Sequence, residues 1–437
     1  MRKLSVWMEI EGTPVYIGEI AGRDSRDACF SYADLYRARH DSCPVSLSLP
    51  LEERTFSPER TKNYFEGLLP EGFTKKCVAQ RLHADEEDYL SILSGLGREC
   101  LGALKILEDG EDEETPEYRL LSSREVEALA REGAAESASI VAKSHLSLTG
   151  ASGKVGLYYE ETNRQWYLPI GDAPSTHIVK QSHVRLDRIV ANEQLSLLTA
   201  KQLGIRVPDS FILNLSRDGT KAGEGDVLFA SRRFDRIWGN SGRKLNGLPV
   251  PYRLHQEDLA QALGIAAARK YERDDEGYMA KIFQLLRLYS AKPLEDQLRL
   301  WDICVFNYLI GNTDNHIKNL SLLYSPSLRS IQLAPAYDIV STAVYDSSTE
   351  EMAFGIGGER NLYSVSGKSF ERAARDAGLG VGMAMKRFDT MVSGFEGALD
   401  RACQSLEAQG FEEVGQIRDA IMERGGIGMC KSRKQET

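Results

Sequence analysis

LIGNTDNHIKNL, residues 309–320, places a dense group of polar side chains between two apolar stretches. The apolar run LRLWDICVFNYLI leads to Gly311, and apolar residues return in LSLLY after the break. Within the break, Asp314 and Asn319 have the spacing D-x-x-x-x-N. Polar residues in a short connection between buried elements are typical of a functional loop that rigid elements hold in place. This stretch is therefore the first candidate for chemistry in the chain.

A second acidic residue, Asp338, follows in LAPAYDIVS. Phosphoryl transfer of the protein-kinase type needs one carboxylate at the attacking hydroxyl, and an amide oxygen with a second carboxylate to hold Mg²⁺. Mg²⁺ prefers oxygen ligands, and few protein ligands suffice because water and phosphate complete its coordination shell. Asp314, Asn319 and Asp338 match these three roles in residue type and in order.

Upstream features match the phosphate-binding half of such a site. Lys180 follows a β-branched run in THIVKQ, and Glu193 lies thirteen residues later in a predicted helix, so the two can form an ion pair. The loop SLTGASGKV, residues 147–155, precedes both, and its backbone N–H groups could cradle phosphate. Each motif alone is common by chance, and a loop of this kind is most often a plain hairpin turn. Their order along the chain favours a kinase-like phosphotransferase.

Composition and missing motifs exclude several other classes of protein. The net charge of -10 argues against a chain that coats nucleic acid non-specifically. Seven single cysteines without a CxxC pair indicate a reduced, cytoplasmic protein, and no apolar run predicts a membrane span. The chain has no GxxxxGK[ST], no GxGxxG after a strand, no HExxH and no GxSxG. These absences argue against Walker-type NTPases, simple dinucleotide-binding folds, zinc proteases and common hydrolases.

The pattern along the chain predicts three consecutive segments. Residues 1–107 mix short strands, one of them in PVSLSLPL, with helices, and the acidic stretch EDGEDEETPE then predicts a linker. Residues 118–235 are mostly strand-like, with one long helix in EQLSLLTAKQLGI and a helix that the capping box Ser122-x-x-Glu125 would begin. Residues 236–435 are mostly helical in pattern.

These residues resemble the HipA family, serine/threonine kinases that act as toxins of bacterial type II toxin–antitoxin modules. The resemblance extends over nearly the whole chain, in the family's order, through YFEGLLPEG, SLTGASGK, THIVK, RRFDR, RLHQEDLAQALG, FNYLIGNTDNHIKN, LAPAYDIVS and MAFGIGG. It implies an α+β, protein-kinase-like two-lobed fold. Residues 118–235 would form the β-rich small lobe and residues 236–435 an all-helical large lobe, after an N-terminal α/β subdomain at 1–107.

The resemblance also implies ATP and Mg²⁺ as cofactors. Asp314 would be the catalytic base, Asn319 and Asp338 the Mg²⁺ ligands, and Lys180 the phosphate-binding lysine. Ser147 matches the serine that the family autophosphorylates, after which ATP binding fails. The other predicted ATP-contacting residues lie in the phosphate loop, in or next to the segment FASRRF that would meet adenine through its backbone, and in the catalytic loop. They are Ser152, Gly153 and Lys154, then Arg233, Phe234 and the adjacent Asp235, and finally His316 and Lys318.

The implied partners are a small HipB-like helix-turn-helix antitoxin, through which the chain would act on operator DNA, and a protein substrate. Known targets of the family are aminoacyl-tRNA synthetases, most often the glutamyl enzyme. Two alternatives stay open. The chain has GASGK and Arg232 where the family usually has GAQEK and an acidic residue, so it could be a weakly active kinase-fold partner that acts mainly as operon corepressor. It could also be a small-molecule kinase with the same catalytic residues.

Overall fold

The computed structural model describes most of the chain, in seven ranges. These ranges are residues 1–108, 115–131, 154–182, 186–216, 224–239, 242–273 and 276–435. Most of the predicted linker and of the predicted phosphate loop lies outside them.

The chain divides into two compact units, each built from separated stretches. The first unit consists of Met1–Gln181, Ala230–Ala267 and Leu322–Ser330. The second consists of Ser182–Phe229, Ala268–Ser321 and Ile331–Thr437. The three consecutive segments expected from sequence stay a prediction about domains.

The first unit begins with a four-stranded sheet and four helices. The strand order is β3-β2-β1-β4, and β1 pairs antiparallel with both of its neighbours. Alternate residues of β1, namely Leu4, Val6 and Met8, are completely buried, as expected for a strand with one face on a core. The elements are β1 (Arg2–Ile10), β2 (Thr13–Gly22), β3 (Cys29–Tyr32), α1 (Asp34–Arg37), α2 (Pro58–Phe65), α3 (Gly72–Arg81), α4 (Tyr89–Leu96) and β4 (Leu104–Glu108).

The predicted strand in PVSLSLPL is wrong. Residues 44–51 form bends and turns, with one isolated bridge between Ser46 and Leu49. The Ser46 hydroxyl and the Leu47 N–H donate to the two carboxylate oxygens of Glu257, at 2.5 and 3.1 Å. Polar groups of this segment therefore bind a buried carboxylate and not a neighbouring strand, which an alternating apolar pattern does not reveal.

A second sheet in the first unit has the order β5-β7-β6-β8-β10. Its strands are β5 (Glu117–Leu120), β6 (Lys154–Glu160), β7 (Gln165–Ile170), β8 (His177–Gln181) and β10 (Val227–Arg232), of which β10 begins in the second unit. Helix α5 (residues 123–131) starts with the predicted capping box. The Ser122 hydroxyl accepts from the N–H of Glu125 at 3.4 Å, and the Glu125 carboxylate accepts from the N–H of Ser122 at 2.8 Å.

Short elements complete the first unit. They are β11 (Arg236–Ile237) paired with β14 (Tyr252–Arg253), β12 (Lys244–Leu245) paired with β13 (Leu248–Pro249), β15 (Gln256–Asp258) paired with β16 (Ser321–Tyr324), and α7 (Leu259–Leu263). The region expected to be helical thus also contains several short strands.

The second unit is mainly helical. Its longest helix, α11, packs against α6, α9, α10 and α12. The elements are α6 (Ile189–Gln202), β9 (Ser210–Asn214), α8 (Tyr278–Tyr289), α9 (Pro293–Ile310), β17 (Ile331–Leu333), β18 (Glu351–Ile356), β19 (Glu359–Asn361), α10 (Gly367–Asp376), α11 (Val381–Glu407), α12 (Val414–Arg424) and α13 (Gly426–Gln435). Within the described ranges, no helix is long and apolar enough to cross a membrane.

A buried ion network fixes the segment after β10 in the first unit. The Glu99 carboxylate accepts from Arg236 at 2.7 Å, from Arg233 at 3.3 Å and from the N–H of Ser175 at 3.0 Å. Burial opposes ionisation of Glu99, but the two guanidinium groups hold the pKa of its carboxyl below the usual value. Removing one member of such a network leaves an uncompensated buried charge, which is strongly destabilising.

We therefore expect Glu99→Ala to lower the free energy of unfolding by about 3–5 kcal/mol, measured by urea denaturation. The control is Glu19→Ala, because Glu19 pairs with Lys3 at 3.2 Å on the surface, where side chains are 36% and 44% exposed. Exposed pairs contribute at most about 1 kcal/mol. Equal losses in the two variants would contradict a stabilising role for the buried network.

Glu257 is expected to make the free energy of unfolding depend on pH. Burial raises the pKa of this carboxyl to about 7, although Ser46, Tyr324 and the N–H of Leu47 donate hydrogen bonds to it. Between about pH 4.5 and 7 the unfolded chain loses this proton while the folded chain keeps it, so stability falls as pH rises. As the pH rises through this window, the free energy of unfolding of the parent should fall by up to about 3 kcal/mol relative to that of Glu257→Gln. Parallel stability curves for parent and variant, from urea denaturation at each pH, would rule this out.

Candidate active site

Helix α9 ends at its C-cap Gly311, directly before the polar stretch of residues 312–319, and no other residue could replace this glycine without strain. Gly311 has φ +73°, and a Cβ at this position would lie 2.7 Å from the Cβ of Ala343. The carbonyl of Gly311 accepts hydrogen bonds from the N–H groups of Thr342 and Ala343, at 3.0 and 2.9 Å. The end of the helix is thereby joined to the segment that follows Asp338.

Inside the loop, side-chain amides hold the backbone around Asp314. Asn312 donates to Asn307 in α9 at 2.7 Å and accepts from the N–H of Asp314 at 3.0 Å. The amide nitrogen of Asn319 donates to the carbonyl of Asp314 at 3.0 Å, so its amide oxygen is the atom that remains for a metal ion. Asp314 itself is exposed on this fixed backbone. The structure thus brings Asp314 and Asn319 together.

His316 and Lys318, predicted to contact ATP, are only 6% and 4% exposed. The carbonyl of Lys318 accepts from the Tyr337 hydroxyl at 3.1 Å, directly before Asp338. Both side chains are therefore buried, and their contact with ATP stays a prediction.

Asp338 has a left-handed backbone, with φ +57°, and is half-buried. Aspartate tolerates this region better than most residues, but such conformations persist only where the surroundings impose them. Asn192 of α6 holds the segment three residues further on: its amide donates to the carbonyl of Ser341 at 2.9 Å and accepts from the N–H of Ser341 at 3.0 Å. The Thr342 hydroxyl also accepts from the N–H of Thr313 at 2.8 Å.

Tyr271 is a site residue that sequence reasoning missed. Its hydroxyl donates to a carboxylate oxygen of Asp314 at 2.5 Å, and its ring meets the His316 ring edge-on at 5.2 Å. Tyr271 precedes Asp314 by 43 residues and lies outside every motif quoted above. No signal in a single sequence could have found it.

In the first unit, Lys180 lies on β8 with Lys154 of β6 as its direct cross-strand partner. Directly opposed residues of antiparallel strands have their side chains on one face, with Cβ atoms about 4.5–5.5 Å apart, and like charges there are destabilising. Lys180 is 9% exposed and Lys154 is half-buried. The two lysines predicted to meet phosphate therefore lie side by side in the sheet.

The side chains of Arg233 and Asp235 are engaged inside the first unit, while a contact of this segment with nucleotide through its backbone stays a prediction. Both are at most 2% exposed, and Asp235 accepts from Arg233 at 2.9 and 2.7 Å and from the N–H of Gly102 at 2.8 Å. They serve the buried ion network of Glu99, which explains why the RRFDR motif carries these charges. Phe234 lies in the turn between them and is half-buried.

Three predicted site residues, Ser147, Ser152 and Gly153, lie outside the described residues. Among the described residues, no three His, Cys, Asp or Glu side chains are grouped so as to hold a metal ion. Mg²⁺ in phosphoryl-transfer sites needs no such group, because one or two carboxylates act together with substrate phosphates and water.

Comparison with known proteins decides the family. The family model of the HipA-like C-terminal domain matches residues 146–402, and the family model of the HipA N-terminal domain matches residues 5–107. The chain belongs to the HipA family. The predicted resemblance, the α+β kinase-like fold and the assignment to a family of kinases are thereby confirmed.

Curated relatives of this HipA-family chain carry kinase names. Y4mE of Sinorhizobium fredii, inferred to be a kinase, is 29% identical over 417 residues and covers 92% of each chain. The serine/threonine-protein kinase toxin HipA of Shewanella oneidensis is 26% identical over 349 residues, which are 77% of this chain and 75% of that protein. A solved structure of Shewanella oneidensis HipA, in complex with HipB and its operator DNA, is similar in fold, with a TM-score of 0.76, 21% identity and 96% coverage of both chains.

The hydrogen bonds between Asn192 and Ser341 predict a large stability effect. We expect Asn192→Leu to lower the free energy of unfolding by about 2–4 kcal/mol, because it leaves a buried N–H and a buried carbonyl of Ser341 without partners. Ser196→Ala is the matched control on the same helix, since the Ser196 hydroxyl makes only a 3.3 Å bond to Asn192. Urea denaturation of both variants tests this, and a loss for Asn192→Leu no larger than for the control would refute it.

Proposed function

We propose that the chain is an ATP- and Mg²⁺-dependent serine/threonine protein kinase. The observation that carries the proposal is the catalytic loop of the second unit. There Asp314 is exposed on a backbone that Asn312 and Asn319 hold, in a chain whose family is one of kinases. A fixed loop with one exposed carboxylate suits phosphoryl transfer, where positioning supplies most of the catalysis.

The residues present fit the two proposed cofactors. Lys180 and Lys154 would bind phosphate oxygens, in agreement with the cross-strand pair of cations. The amide oxygen of Asn319 and the carboxylate of Asp338 would hold Mg²⁺, which supplies charge neutralisation on the phosphates when bound. The backbone of FASRRF, with Phe234, is proposed to meet the adenine.

In the proposed mechanism, Asp314 orients the substrate hydroxyl and accepts its proton as the oxygen attacks the γ-phosphorus. The bond from that phosphorus to the β,γ-bridging oxygen breaks, and ADP leaves. The lysine ammonium groups stabilise the charge on the phosphate oxygens. His316 and Lys318 remain proposed phosphate contacts, and their burial favours a role in shaping the loop.

We further propose that the kinase acts in the cytoplasm as the toxin of a type II toxin–antitoxin module. The support is that the relative from Shewanella oneidensis is named as a kinase toxin and has been solved with HipB and operator DNA. A HipB-like antitoxin, operator DNA bound mainly through it, and an aminoacyl-tRNA synthetase as substrate (the glutamyl enzyme first) are the proposed partners. Ser147 is the proposed autophosphorylation site.

The test is Asp314→Asn in the purified chain with γ-labelled ATP and Mg²⁺. Transfer of label to the chain should fall by about three orders of magnitude or more, because the group that orients the nucleophile is lost, while binding of ATP stays within about threefold. Asp419→Asn is the matched control, since Asp419 is 75% exposed in the same unit. Absence of transfer by the parent, to itself and to every synthetase offered, would contradict the proposed activity.

Expression of the same variants in bacteria tests the toxin role. Growth arrest with one dominant new phosphosite, absent for Asp314→Asn and present for Asp419→Asn, is expected. Repression of the operon by the parent and by Asp314→Asn alike, without arrest by either, would favour the corepressor alternative.

A further inference from the structure

The hydroxyl of Tyr271 donates a hydrogen bond to one oxygen of Asp314, the proposed catalytic carboxylate. The contact to Asp314 Oδ1 is 2.5 Å, at the short end of hydrogen bonds from a hydroxyl to a carboxylate. The bond is made to Oδ1 and restricts rotation of the carboxylate group. A carboxylate on a flexible side chain gains directionality from such a bond.

Tyr271 is itself held by a firmly anchored neighbour. Glu272 is 3% exposed, and its carboxylate accepts from the N–H of Tyr278 at 2.8 Å and from the N–H of Gly355 at 2.5 Å. The N–H of Glu272 donates to the carbonyl of Ala353 at 2.8 Å. The residue next to Tyr271 is therefore tied both to the start of α8 and to β18.

The ring of Tyr271 is supported from two sides. The His316 ring lies edge-on at 5.2 Å, in an arrangement that aromatic pairs prefer, and the ammonium group of Lys270 lies 5.4 Å from the Tyr271 ring centre. His316 is part of the catalytic loop, so the same loop that carries Asp314 also contacts the ring of its hydrogen-bond donor. Tyr271 remains 41% exposed, which makes its hydroxyl replaceable without disturbing a core.

We infer that Tyr271 is a positioning residue for phosphoryl transfer, whose hydroxyl fixes the orientation of the Asp314 carboxylate relative to the substrate hydroxyl. The inference rests on the proposed function and deepens it. The alternative is that Tyr271 imitates a substrate: its hydroxyl would then make the same contact with Asp314 and would have to move away before a substrate hydroxyl binds. The anchoring of Glu272 favours positioning, because a segment that must leave for each substrate would have to break the three hydrogen bonds of this residue.

The experiment compares Tyr271→Phe with the parent in single-turnover transfer of label from γ-labelled ATP and Mg²⁺ to the chain itself. The rate at saturating ATP should fall about tenfold, because loss of orientation acts on the chemical step. The ATP concentration at half-maximal rate and the calorimetric affinity for ATP should change by less than about twofold. Tyr289→Phe, 51% exposed at the end of α8, is the matched control and should equal the parent.

A double-mutant cycle tests whether Tyr271 acts through Asp314. In an Asp314→Ala background the residual rate should be the same with and without Tyr271→Phe, because no carboxylate is left to orient. An equal tenfold loss in both backgrounds would overturn the inference, since Tyr271 would then act elsewhere.

The remaining outcomes are equally decisive. A Tyr271→Phe rate equal to the parent's overturns positioning, and a faster rate shows that the hydroxyl competes with substrate. No transfer by the parent under any condition defeats the proposed function and this inference with it. Transfer by the parent together with an unchanged variant defeats this inference alone.

Discussion

The polar loop of residues 312–319 in the second unit depends on one backbone group, the carbonyl of Gly311. It accepts from two successive N–H groups, those of Thr342 and Ala343, and so ties the end of α9 to the segment after Asp338. A buried carbonyl with two donors is fully satisfied, and the pair of bonds fixes direction as well as distance. Because a Cβ at this position would meet Ala343 at 2.7 Å, only glycine permits the approach. Asp314 follows Gly311 by three residues and Asp338 precedes Thr342 by four, so these hydrogen bonds connect the two segments that carry the aspartates.

Buried charge plays the corresponding part in the first unit. Glu99 from the N-terminal segment neutralises Arg233 and Arg236 after β10, and Asp235 completes the network. Isolated, any one of these groups would be too costly to bury, so the N-terminal segment and the end of the second sheet stabilise each other. The segment proposed to meet adenine is thus held by residues well over a hundred positions earlier in the chain. This gives the N-terminal segment a physical role in holding the first unit together.

The sequence predicted what local patterns and motif order encode. Strands β6 and β7, helix α9 and the capping box of α5 follow from periodicity and residue type, and the family follows from the order of its motifs. Contacts between distant stretches carried no such signal. Residues 44–51 became turns because Glu257 binds their polar groups, and the side chain of Arg233 pairs with Glu99, 134 positions away in the sequence.

The density of polar residues in GNTDNHIKN has a structural explanation that the motif alone obscures. Asn312 and Asn319 bind the backbone around Asp314, Thr313 binds Thr342, and His316 supports the ring of Tyr271. A loop that leaves a helix must satisfy its own N–H and carbonyl groups, and short amides and hydroxyls do so locally. Most of these side chains therefore build the loop, and Asp314 is distinguished by being the exposed one. The D-x-x-x-x-N spacing therefore indicates a loop of this kind, in which the neighbouring polar residues hold the backbone in one conformation.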